Sequence, residues 1–291
     1  MTSWFSVWRV AAIFVGFSCA SFADEKPLTT DGRIKSSPVF TDNTGRELTF
    51  VVQESAVQMQ LCNLKLADGT VTPLHPKQPK NEFEPAYSPD GQWLAFIQSR
   101  GNLTLAVVIQ NLTRGSETEV PPSGGFSGPR SPAISPDGST LLYSYPESDV
   151  QSIWGMDLPT GKRRPVIAGP GINNWPHFAP DGQRFAFGST RDGNFEIYSA
   201  KADGSDIQRL THDAKQDIRP RFSPDGKRIA FVSGRDGNYE IYTMHADGTN
   251  VVRVTTNGER DDYPVWHPDG QHLMFVAERR GKHDLVLVDL P

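Results

Sequence analysis

Carboxylates followed by glycine recur through this sequence, and that pairing has two uses. It can help hold calcium, or it can turn a chain. The stretch "FSPDGKRIAFVSGRDGNYEIYTMHADG", from Phe222 to Gly248, carries three such pairs, at Asp225, Asp236 and Asp247. A helix–loop–helix calcium site needs oxygen ligands at alternate positions and a closing glutamate. "RDGNYEIY" lacks that layout. Asp-Gly is also favoured in tight hairpins, where glycine accepts positive φ. Turn chemistry is therefore the expectation for these aspartates.

Other chemical signals are sparse. The 7 histidines are His75, His177, His212, His245, His267, His272 and His283. No two stand at the usual metal-ligand spacing; His267 and His272 straddle a turn, where His267 replaces a serine. No metal or other cofactor is expected. There is no nucleophile elbow, zinc-protease helix, P-loop or dinucleotide fingerprint. A non-catalytic role is favoured over an enzymatic one. Arg191 with Glu196, and Arg235 with Glu240, flank the two "RDGN" turns and are expected to form cross-strand ion pairs.

The elements that position these residues follow from an internal repeat. "PDG" occurs at Asp90, Asp137, Asp181, Asp225 and Asp269, with spacings of 47, 44, 44 and 44. A degenerate sixth copy, "SPVFTDNTGRELTF", precedes them. Each unit reads as a short strand, a turn, an apolar strand, a turn, a third strand, a turn and a fourth strand. Four short strands per repeat of this length predict an all-β, six-bladed β-propeller of four-stranded blades. The last unit lacks its fourth strand. Residues near Lys26–Thr30 have the right spacing from Pro38 to supply it, as Leu210 has from Pro220 and Val254 from Pro264. The ring is thus expected to close by an N-terminal strand completing the last blade, in one domain from 24 to 291. "EVPPSGGFSGPRSP" is expected to be an inter-blade loop.

Composition bounds the partners. The formal charge of −5 argues against a basic field for nucleic acid. The N-terminus has Arg9, an apolar run from Val10 to Ala20, and small residues Ser21 and Ala23 before Asp24. This predicts a secretory signal over 1–23, a periplasmic or secreted protein, and no membrane span after cleavage. Cys62 would then be the one remaining cysteine, in an apolar strand.

The "[SAH]PDG" turns, second strands such as "RIAF", and "RDGNFEIY" and "RDGNYEIY" resemble the WD40-like repeats of the TolB family. The resemblance implies a six-bladed propeller and a cell-envelope role with a protein or peptide partner, a peptidoglycan-associated lipoprotein being one candidate. It departs from the family pattern in having no α/β domain before the propeller. The same propeller in uronate lyases implies an alternative, a carbohydrate-active or sugar-binding module.

Function is expected at a mouth of the central channel, where loops enter each blade. The candidate partner-binding residues are Glu84, Arg130, Trp175, His177, Asp217, Arg219, Arg221, Asp261 and Tyr263. Trp, Tyr and Arg are the residue types that anchor binding surfaces. In the alternative, Trp175 and Tyr263 stack on sugar rings and Arg130, Arg219 and Arg221 meet uronate carboxylates. A monomer is expected.

Overall fold

The computed structural model describes residues 25–101, 104–122, 128–147 and 150–290. The expected signal segment, and part of the loop between Glu119 and Pro132, lie outside them. Among the described residues no helix is long and apolar enough to cross a membrane.

Each repeat folds as one four-stranded antiparallel sheet, and six sheets form. Blade five contains Asp217–Phe222, Arg228–Ser233, Glu240–His245 and Val252–Arg253. The turn aspartates act as expected. Asp225 Oδ1 accepts from the Ser223 hydroxyl at 2.6 Å and from Lys227 N at 3.1 Å. Gly226 holds φ 71°, a conformation in which a Cβ would be strained.

The innermost strands are Lys35–Phe40, Glu82–Tyr87, Arg130–Ile134, Asn173–Phe178, Asp217–Phe222 and Asp261–Trp266. Each packs on the next, and the last packs on the first, so the blades close into a ring. Middle strands are apolar on both faces because both faces are covered: Arg228–Ser233 is buried at every position after its first. The core is divided among the blade junctions. Phe231, Tyr242 and Phe222 pack with Ala186 and Ile197 between blades four and five, and Phe50, Leu64, Met274 and Leu285 pack between blades six and one. Cys62 is buried in that last cluster, and burial raises its thiol pKa to about 11.

The fourth strands are short, only Gln208–Arg209 in blade four and Val252–Arg253 in blade five. Buried carboxylates anchor them. Glu196 accepts from Arg209 Nη2 at 2.9 Å and from the Thr211 hydroxyl. Glu240 does the same with Arg253 and Thr255. This corrects the expected ion pairs. Arg191 turns instead to Ser189 and Asn173, and Arg235 to Ser233 and Asp217. The carboxylates lie beneath the fourth strand, and the threonine and arginine of that strand occupy them.

Ring closure uses the same device. Glu25–Pro27 pairs antiparallel with Val286–Val288, completing blade six as expected. Beyond the ladder, Thr29 Oγ1 donates to Asp284 at 2.8 Å and accepts from Leu285 N at 3.0 Å. Thr211 and Thr255 receive Ile197 N and Ile241 N in the same way. Thr29→Val would orphan a buried N–H, at a cost of about 1–3 kcal/mol. We expect a lower urea midpoint with unchanged slope, and a similar loss for Thr255→Val. Coincident unfolding curves for wild type and Thr29→Val would contradict this account of closure.

Candidate functional site

Every innermost strand carries the pattern x-Pro at its centre, and every x has a left-handed backbone. The six are Ser37, Glu84, Ser131, Trp175, Arg219 and Tyr263, with φ between 47° and 56°. None is glycine, so each conformation costs of order 1–3 kcal/mol. The register slips across each pair, as between Ile218 and Arg221 or Asp262 and Val265, leaving one extra residue on the inner strand. Such a bulge would ordinarily strand a backbone N–H. Proline has none to strand, so it suits the position. The bulge re-aims the preceding side chain toward the ring axis.

These six residues, with prolines and Arg221, line a space of only about 30 Å³. The channel is filled at this level by its own side chains. The Arg219 guanidinium lies 5.1 Å from the Trp175 ring and 4.2 Å from the Tyr263 ring. It approaches Asp262 at 3.4 Å and donates to the Tyr263 hydroxyl at 3.2 Å. Burial works against its charge, but Asp262 and Tyr263 outweigh burial and raise its pKa. Burial also raises the pKa of Tyr263, against the pull of Arg219. Trp175 packs on Phe195 at 5.0 Å. Glu84 accepts from Ser131 N at 2.6 Å.

Two residues further along, the side chains face the mouth formed by the PDG turns. Here the channel opens into a funnel of about 520 Å³, lined by Val39, His177, Arg221 and Val265 toward the axis. Phe40, Tyr87, Phe222 and Trp266 line it with the turn prolines Pro89, Pro136, Pro180, Pro224 and Pro268. That volume falls in the range of ligand pockets, about 300–1,000 Å³. His177 Nδ1 accepts from Phe222 N at 3.1 Å, leaving Nε2 as its free atom. Burial and the nearby Arg221 lower the His177 pKa to about 3, so the ring is neutral. Arg221 is half-buried in the funnel, and burial and Arg219 lower its pKa to about 10 against the pull of Glu84. Among the described residues its guanidinium has no hydrogen-bonded or ion-paired partner.

The structure thus brings together Glu84, Trp175, His177, Arg219, Arg221 and Tyr263. The loops entering the blades were expected to present them at one mouth; the bulges instead place them inside the channel, with His177 and Arg221 toward the other mouth. Arg130 is exposed at the start of its strand, outside both spaces. Asp217 and Asp261 are fully buried inside their blades. They pair with Arg235 at 2.9 Å and Arg279 at 2.7 Å, so they brace the hairpins and present nothing to a ligand. Burial pushes both carboxyls up while those arginines pull them down. The reading of the sequence passed over the funnel aromatics and prolines, although "YSPDG", "FAPDG", "FSPDG" and "WHPDG" display them. It also separated His267 from His272. Their ring centroids are 5.7 Å apart, and both reach Asp269.

The neutral His177 makes a pH prediction. Its folded pKa lies below the unfolded value, so the unfolded chain takes up the proton first. Its contribution to stability is full above about pH 6.5 and is lost as pH falls toward 3. His177→Gln should show a shallower fall in urea midpoint between pH 7 and pH 4 than wild type. Parallel pH profiles would refute that assignment.

Comparison with known proteins places this geometry. Residues 129–291 match the family model described as the TolB beta propeller domain. An uncharacterized protein of Agrobacterium fabrum is 35% identical over 86 residues, covering 30% of this chain. That match spans only 29% of the relative's own length. A structure provisionally assigned as TolB from Agrobacterium tumefaciens superposes with a TM-score of 0.70 at 22% identity, covering 91% of this chain and 93% of that one. TolB from Acinetobacter baumannii gives 0.70 at 23% identity, covering 84% of this chain and 63% of the other. An oligogalacturonate lyase in complex with manganese gives 0.59 at 17% identity, with 94% of each chain covered. At such identities the superpositions establish the fold alone. Taken with the repeat grammar and the six closed blades, the family match shows that this chain belongs to the TolB β-propeller family.

Proposed function

We propose that this chain is an exported, non-catalytic, monomeric propeller of the cell envelope that holds a segment of a protein partner in the funnel at its PDG-turn mouth. One observation carries the reading: Arg221 is a half-buried cation in the funnel that makes no hydrogen bond or ion pair among the described residues, the Glu84 carboxylate acting on it only from beyond ion-pair distance. Other partly buried arginines are placed otherwise, since Arg219, Arg235 and Arg279 each have an acidic partner within 4 Å. A partly desolvated charge with no counter-charge in direct contact is costly, and an incoming carboxylate lowers that cost. An acidic side chain or a C-terminal carboxylate of the partner would sit on Arg221. The partly exposed Val39, Tyr87 and Val265 would receive the neighbouring apolar groups. The surrounding turn prolines are fixed before binding, so little ordering entropy is lost. The apolar run and small residues before Asp24 support export, and family membership supports an envelope role.

The carbohydrate alternative draws less support. Its stacking surfaces were to be Trp175 and Tyr263, and Arg219 lies over both rings. Its metal would need several ligands in the channel. Among the described residues the one candidate cluster of three such groups is on the blade-six turn instead.

Arg221→Ala separates binding from folding. Removing a cation that makes no hydrogen bond or ion pair should change stability little, whereas losing a charge-assisted contact to a bound carboxylate weakens binding by about 2–5 kcal/mol. In affinity capture from the organism's own envelope extract, a protein retained by wild type should be lost with Arg221→Ala at equal thermal stability. Equal capture by both would overturn the funnel as the site. A thermal shift with oligouronates and none with partner would favour the sugar module.

A further inference from the structure

Five blades carry the Pro-Asp-Gly turn, and the copy in blade six departs from the others in a way that creates metal-ligand chemistry. In blades two, three and five the residue before Pro-Asp-Gly is Ser88, Ser135 or Ser223. Its hydroxyl donates to the turn aspartate at 2.5–2.6 Å. That hydroxyl also accepts the N–H five residues on, at 2.9 Å in each case. In blade six His267 stands in place of the serine. Asp269 Oδ1 keeps its turn role, accepting from Gln271 N at 2.8 Å. Its other oxygen, Oδ2, meets His267 Nδ1 at 2.8 Å and His272 Nδ1 at 2.7 Å. On its far side His272 Nε2 lies 3.1 Å from Asp289 Oδ1.

Proton counting makes this arrangement informative. His272 lies between two carboxylates, each of which only accepts when ionised. A neutral imidazole has one N–H and can serve only one of them. If Nε2–H donates to Asp289, Nδ1 presents a lone pair to a carboxylate oxygen. With its proton on Nε2, His267 Nδ1 accepts from Asp269 N at 3.3 Å and likewise presents a lone pair. In those tautomers two imidazole lone pairs and a carboxylate oxygen converge, an arrangement that a cation would stabilise.

We propose that His267, Asp269 and His272 form a binding site for a divalent transition metal of the zinc class. Two imidazoles and one carboxylate suit zinc, nickel or copper and do not suit calcium or magnesium. Metal bonds of about 2.0–2.2 Å at tetrahedral angles separate ligand atoms by about 3.3 Å. The contacts here need open by only about half an ångström to reach that spacing. Asp289 takes the supporting place, fixing the His272 ring through Nε2 while Nδ1 binds. The three side chains are 22%, 36% and 32% exposed, which leaves room for a water as fourth ligand. The His267 ring is held by blade one, edge-on to Phe40 at 5.1 Å and beside Gly45, where a Cβ would come within 2.6 Å of Nε2. The metal would therefore lie at the seam between blades six and one, on the rim of the funnel but on side chains other than Arg221, so the two readings are tested separately.

The test is titration of tag-free, metal-stripped protein with zinc chloride, followed by calorimetry and thermal unfolding. The variants use residues already present at equivalent positions. His267→Ser recreates Ser223, and His272→Arg recreates Arg228, so both are expected to fold. Wild type should bind one zinc per chain and unfold at a higher temperature, because the metal binds the folded site. The double variant should lose both effects, and Asp289→Asn should weaken binding by about 10-fold. No heat of binding in wild type would overturn the site. So would equal zinc affinity in the double variant, which would assign the metal to the remaining histidines.

Discussion

The bulge at the centre of each innermost strand is the constraint on which the architecture turns. A single residue in the left-handed region, followed by proline, bends the strand and sends one side chain to the axis. The conformation is unfavourable for a non-glycine residue, and proline limits the penalty by removing the donor the bulge would otherwise strand. The same geometry then sorts the channel by depth. Side chains at the bulge fill the axis, and those two residues later line the wider mouth.

Polar groups elsewhere answer the needs of the hydrophobic packing. The blades adhere through apolar clusters at their junctions, but the fourth strands of blades four, five and six are only two or three residues long and offer few ladder bonds. Glu196, Glu240 and Asp284 therefore lie beneath them and collect a threonine hydroxyl, with an arginine as well in blades four and five. Asp217 and Asp261 do comparable work at the hairpins. A charge buried in this way is tolerated because every carboxylate has a guanidinium or hydroxyl at hand. Arg221 is the contrasting case, and the contrast gives it meaning.

Much of this was legible in the residues. Repeat spacing and turn grammar were sufficient for the fold, for six blades, and for closure by the N-terminal segment, because Asp-Gly geometry and period-2 patterning are local. Leu28 before Pro38 had the same offset as Leu210 before Pro220, and Thr29 performs the hydrogen bonding of Thr211. Site geometry was less legible. Nothing in "DIRPRF" announces that Arg219 takes a left-handed backbone while Arg221 does not, since the bulge follows from packing six strands together. Asp217 and Asp261 looked like loop acids because their arginines lie 18 residues away. His267 and His272 looked separate because a turn lies between them, yet that turn is what folds them onto Asp269.

The closure of blade six also constrains the order of assembly. Thr29 and Asp284 are 255 residues apart. Joining them in an otherwise unfolded chain would cost about 5 kcal/mol in loop-closure entropy, before any constant term. Five blades are each contiguous in sequence and can form locally, every one templating the next. Once they stack, the two ends are already neighbours and the entropic cost has been met by other contacts. Closure is therefore a late event. The first strand of the ring in chain order waits for the last hairpin, and until then blade six exposes an open edge.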